Sequence, residues 1–154
     1  MQAAEATLAT IRRALRGLVL LGAVGLAAEL LITEHTEDFW QLVPLVLLAA
    51  GFALAALPAR GSTLRPLQAC LLLCVASGGI GTFLHLKAKA EIVWERVPDL
   101  GGMALLNEVL KGTSPPILAP GAMIGFGLIG LLWTWRHPAL VPPGTADTPN
   151  GVSS

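Results

Sequence analysis

The sequence predicts an all-α integral membrane protein: a bundle of four transmembrane helices with an outward-facing helical cap between the third and fourth. Three observations carry this expectation. Apolar stretches occupy residues 17–33, 39–57, 67–86 and 117–135, each 17 to 20 residues long. A helix rises about 1.5 Å per residue and the hydrocarbon core is roughly 30 Å thick, so about 20 apolar residues cross it. Mean hydropathy is +0.69 and 13% of residues are charged, against about a quarter in soluble domains. Small residues also recur inside the stretches at spacings that let helices pack closely in lipid. With about half of the 154 residues in the stretches, there is room for one membrane domain (17–136) and no separate soluble one.

Residues 1–16 read as an amphipathic cytoplasmic segment. Ala4, Leu8, Ile11 and Leu15 share one helical face, while Glu5, Arg12 and Arg16 lie elsewhere. Such a segment either lies in the interface or extends the first helix directly, and both readings stay open. The arginines followed by an apolar run and Ala27-Ala28 superficially resemble a signal peptide. The run continues through Leu30, Leu31 and Ile32, so the stretch is expected to be retained.

In the second stretch Pro44 removes one backbone hydrogen bond and favours a kink. Trp40 at its outer end, with Trp133 and Trp135 at the inner end of the fourth, fit interfacial anchors. Cys70 and Cys74 lie one turn apart on the third stretch and are expected to pack as small apolar residues. Ser77 and Gly81 form a small-xxx-small pair, and Gly121 and Gly125 a GxxxG. Either pair serves close helix packing, inside the bundle or against a partner; the internal use is preferred.

Beyond the third stretch, residues 87–97 continue helically without a breaker, and Pro98 to Gly102 turn the chain. Residues 103–111 fit a short helix with Lys111 in its last turn and Gly112 just past it. This helix is expected on the membrane surface or over the bundle as a cap. Residues 137–154, rich in proline and small polar residues, read as a disordered cytoplasmic tail.

Orientation follows from Lys and Arg alone. Six of them (Arg12, Arg13, Arg16, Arg60, Arg65, Arg136) flank one side and four (Lys87, Lys89, Arg96, Lys111) the other. Both termini are therefore assigned to the cytoplasm, with the plasma (inner) membrane as the expected location.

Polar residues at the outer end are the candidates for chemistry. Glu29 lies about 6 Å below the outer boundary by helical rise, and His85 lies one residue from the outer end of the third stretch. A carboxylate in a span is normally paired or hydrated, so the leading expectation is a structural polar pair of Glu29 with His85. The alternative is a divalent metal site from His35, His85, Glu29, Glu34 and Glu37, whose ligand types suit zinc, iron or manganese. Haem b held axially by His35 and His85 is a further possibility. The spacing matches no defined metal motif. The chain carries no GxSxG, HExxH, Walker A or dinucleotide fingerprint. The function expected is a non-enzymatic subunit or accessory factor of a membrane assembly, with the lipid bilayer and a membrane-protein partner or second copy as partners and no nucleic acid. The alternative function is an outward-facing metal- or haem-binding membrane protein.

Overall fold

The computed structural model describes residues 2–33, 39–111 and 118–141. Its regular structure there is entirely helical: α1 (Gln2–Ile32), α2 (Phe39–Ala56), α3 (Gly61–Arg96), α4 (Gly102–Lys111) and α5 (Leu118–Thr134), followed by a 3-10 turn at Pro138–Leu140. Three helices, α1, α2 and α3, are long and apolar enough to cross a membrane. α5 is equally apolar in character but shorter, at 17 residues.

α1 is one continuous helix, so residues 2–16 extend the first apolar stretch in line with it. Thr7 and Thr10 return their hydroxyls to the carbonyls of Ala3 and Ala6 (2.9 and 3.0 Å), which accommodates them inside the helix. The turn from α2 into α3 is held by Thr63. Its Oγ1 accepts the Arg60 amide at 3.0 Å and donates to the Pro58 carbonyl at 2.7 Å. α3 closes with the Val97 amide on the Val93 carbonyl at 2.9 Å. Gly102 then opens α4 at φ +59°, a left-handed conformation that glycine adopts without a steric penalty.

α1 and α3 each pack against both α2 and α5. The direction of each contact is legible from its residues. Arg12, Arg16 and Gly22 of α1 meet Arg136, Trp133 and Phe126 in falling order. Gln68, Leu71 and Gly81 of α3 meet Thr134, Gly127 and Pro120. Both contacts are therefore antiparallel. The Phe126 ring sits centrally, against Gly22 of α1 and Gly51 of α2.

The densest core lies toward the arginine-rich end, where Val19, Leu48, Leu64, Leu67, Leu71 and Cys74 are fully buried. The outward faces are apolar too: Leu21, Val24 and Leu31 on α1, Leu72, Leu73 and Ile80 on α3, and Leu132 on α5 are all exposed. Helices apolar on every side suit a lipid solvent. α4 packs on α3 through its buried Val109 and leaves Met103, Leu106 and Leu110 exposed.

Two readings from the sequence change here. Trp133, expected as an interfacial anchor, is 2% exposed, and the Arg16 guanidinium lies 5.9 Å from its ring centre. Trp133 faces the bundle, and a cation covers the indole face. Order also extends past the fourth stretch: Pro138–Leu140 packs against α3, with His137 Nδ1 accepting the Ala139 amide at 3.2 Å. The remainder of the expected disordered tail, from residue 142, lies outside the described residues.

Candidate functional site

Two features stand out at opposite ends of the helices. At the arginine-rich end, Arg16 of α1 reaches the C-terminus of α2. Its Nε donates to the Ala55 carbonyl at 2.9 Å, and its Nη2 donates to the carbonyls of Ala56 at 2.9 Å and Leu57 at 3.2 Å. These carbonyls have no partner within α2, and they form the negative end of its dipole. Arg12 donates to the Arg136 carbonyl at 3.2 Å. The adjacent His137 has its pKa lowered, first by burial and then by the charge of Arg12. This end is a structural clamp.

At the other end the helices part around a cavity of about 410 Å³. Pro44 and Pro120 shape two of its walls, and Gly78 and Gly81 form the floor of a third. A Cβ on Gly78 would lie 2.6 Å from the Pro120 carbonyl oxygen, so α3 and α5 touch backbone to backbone just beneath the cavity. Leu30, Leu84, Ala88, Ala119 and Met123 supply further apolar wall. Its polar lining residues are Trp40, Gln41, Ser77 and His85. The bond that Pro44 cannot make frees the carbonyl of residue 40, four positions earlier, at the same wall. Lys89, one turn beyond His85, is 6% exposed. A volume in the range of roughly 300–1,000 Å³ with few polar groups on apolar walls is the usual character of a small-molecule site.

The residues singled out from the sequence fall on both sides of this picture. His85 lines the cavity, as do Ser77 and Gly81. Glu29 is exposed on α1, and its neighbour Leu30 is the residue that turns inward. Glu34, His35 and Glu37 lie outside the described residues. Among those described, no group of three or more His, Cys, Asp or Glu is placed to hold a metal.

The close helix contacts use other glycines than the GxxxG. A Cβ at Gly121 or Gly125 would meet nothing within 4 Å, whereas one at Gly127 or Gly130 would collide with Val75 or Leu71. Gly81 is part of the close contact, 3.1 Å from Pro120 by the same measure. Gly125 instead lines a shallow groove of about 230 Å³ on the α1–α5 face, with Gly22 and Ala122. Gln41 and Lys89 were not singled out from the sequence. Only the i, i+4 spacing of Lys89 from His85 could have drawn attention to it.

Comparison with protein-family models, curated proteins and solved structures finds no match for this chain.

Proposed function

We propose that this chain is a multi-pass integral membrane protein with four spans, α1, α2, α3 and α5, forming a four-helix bundle with both termini cytoplasmic. The observation that supports a fourth span is the pairing of α5 with α3. It runs from Gln68 with Thr134 to Gly81 with Pro120, about 20 Å of helical rise along the most apolar part of α3. A helix that pairs with a spanning helix along that depth shares its crossing. On this reading α4 sits on the outer side, against the projecting part of α3.

Its role on this reading is that of a non-enzymatic subunit or accessory factor, docking a transmembrane helix of another chain. The α1–α5 groove supports this, because Gly121 and Gly125 face outward beside it and admit a close backbone approach.

Two measurements test the proposal. In a background with Cys70 and Cys74 replaced by Ala, thiols engineered at Ser62 and Arg136 are expected to react only from the cytoplasmic side, and one at Glu95 only from outside. Labelling of Arg136→Cys together with Glu95→Cys would remove the fourth span. Gly125→Leu is expected to keep wild-type thermal stability, since it points into open space, and to lose association with its partner in mild detergent. An unchanged assembly in that variant would refute the docking role.

A further inference from the structure

We infer that the arginine-rich end of the bundle binds the phosphate of an anionic phospholipid from the surrounding bilayer, held by Arg60 and Arg136 with Arg13 beside them. This goes beyond the docking role and depends only on the chain lying in a membrane, whichever end is cytoplasmic.

The fold gathers these cations from three helices. Arg12 donates to the Arg136 carbonyl at 3.2 Å, so α1 around residue 12 stands beside the end of α5. Past Arg136 the chain crosses to α3: Pro138–Leu140 packs there, and a Cβ on Gly61 would lie 3.1 Å from the Ala139 carbonyl oxygen. Arg60 is the neighbour of Gly61, and Arg136 precedes Ala139 by three residues, a run that spans no more than about 11 Å. The two arginines therefore bracket one short segment, with Arg12 and Arg13 on its α1 side.

The charge gathered there is not neutralised within the chain. Among the described residues no carboxylate pairs with any of the six arginines. The one described acid on this side, Glu5, is exposed two helical turns before Arg12. Arg16 is committed to the carbonyls of α2, and Arg12 gives one N–H to α5. Arg13, Arg60 and Arg136 are exposed, and a guanidinium presents a fork of donors that matches a phosphate. Arg136 also has φ +46°, the left-handed conformation that follows many helix ends and usually falls to glycine. An arginine kept there against a steric penalty supplies what glycine lacks, a cation.

The surroundings favour a lipid over a soluble anion. Leu132 and Trp135 lead up to Arg136 and are exposed, and the exposed Leu57 precedes Arg60 by three residues. A phospholipid meets both surfaces at once, its phosphate on the guanidinium groups and its chains along the apolar side chains. A soluble phosphate meets the arginines alone.

Native mass spectrometry of the full chain in a nonionic detergent tests this, with dioleoylphosphatidylglycerol and dioleoylphosphatidylcholine titrated separately. The first phosphatidylglycerol adduct is expected to saturate and to form at least about tenfold more tightly than its phosphatidylcholine counterpart. A cation at the membrane surface contributes about a fivefold preference, so Arg60→Gln and Arg136→Gly should each lower the ratio by about that factor. Arg136→Gly separates binding from folding, because glycine suits φ +46°. Its melting temperature by circular dichroism should hold or rise while the lipid preference falls. Arg96→Gln, at the opposite end, should leave the ratio unchanged. Equal binding of the two lipids, or an unaltered ratio in the folded double variant Arg60→Gln/Arg136→Gly, would overturn the site. An equal loss in Arg96→Gln would also overturn it, since net charge alone would then be read. Displacement of the lipid by an equal concentration of glycerol phosphate would assign the site to soluble phosphates and refute the lipid.

Discussion

Gly78 and Gly79 are adjacent on α3 and are expected to respond oppositely to the same substitution. A Cβ at Gly78 would lie 2.6 Å from the Pro120 carbonyl oxygen and 3.0 Å from the Ile124 amide nitrogen. These two atoms form one rung of the α5 ladder, so no flexible side chain can swing aside. A carbon beside a carbonyl oxygen sits at about 3.3 Å at closest. α3 and α5 must therefore separate by roughly 0.7 Å, which loosens the packing along their whole contact. Overpacking of this kind costs about 1–3 kcal/mol. At Gly79 an added Cβ meets nothing within 4 Å. Both substitutions to Ala gain the same helix propensity, so that contribution cancels in the comparison. Gly78→Ala should thus be less stable than Gly79→Ala by about 1–3 kcal/mol, a fivefold to 150-fold change in the folding equilibrium. Reversible unfolding by SDS in mixed micelles, followed by circular dichroism, measures it. Equal stability of the two variants to within about 0.3 kcal/mol would refute the backbone contact between α3 and α5.

Two further outcomes are expected. Arg16→Ala removes three hydrogen bonds from the end of α2 and the cation over Trp133, and should destabilise the protein by about 1–3 kcal/mol in the same assay. Arg16→Lys should recover only part of this, because a single ammonium cannot span three carbonyls as a planar guanidinium does; full rescue by lysine would contradict the fork. The folded-state pKa of His137 is lowered, so the unfolded chain takes up its proton first as pH falls. The stability this contributes is present above the ordinary histidine value of about 6.5 and is lost as pH falls through the folded value. Protonation also removes the Nδ1 acceptor used by the Ala139 amide. His137→Ala should flatten the pH dependence of thermal stability below pH 6.5; an unaltered slope would remove this role.

The helices themselves were legible because length and apolar content decide them. α2 ends at Ala56 where the stretch was read to Leu57, and the extension of α3 past residue 86 followed from the lack of a breaker before Pro98. Facing was another matter. α3 and α5 are apolar on nearly every side, so periodicity cannot say which glycines meet a neighbour. GxxxG spacing pointed to Gly121 and Gly125, while the close approach runs through Gly78, Gly81, Gly127 and Gly130. Glu29 drew attention as a carboxylate inside a span, but its side of α1 depends on where α2 and α5 settle. His85 was legible as a site residue by its rarity. Gln41 was not, and Ser77 stood out only for helix packing, because the cavity that gathers them arises from the placement of Pro44 and Pro120 on two separate helices. The Arg16 clamp joins residues about 40 positions apart, a distance at which local pattern carries no information.

The unequal helix lengths have a consequence for the surrounding bilayer. The described parts of α2, with 18 residues, and of α5, with 17, rise about 27 Å and about 26 Å, a few ångströms less than a hydrocarbon core of roughly 30 Å. α1 and α3 overshoot the same core, and tilting would accommodate them, but tilting cannot lengthen their neighbours. On the proposed four-span reading, the shorter pair sets the hydrophobic thickness, and lipid next to it thins or the protein gathers where the membrane is already thin. Acyl-chain length thus becomes a variable of this protein's stability, and along a series of bilayers the optimum should fall at shorter chains than α1 and α3 alone would prefer.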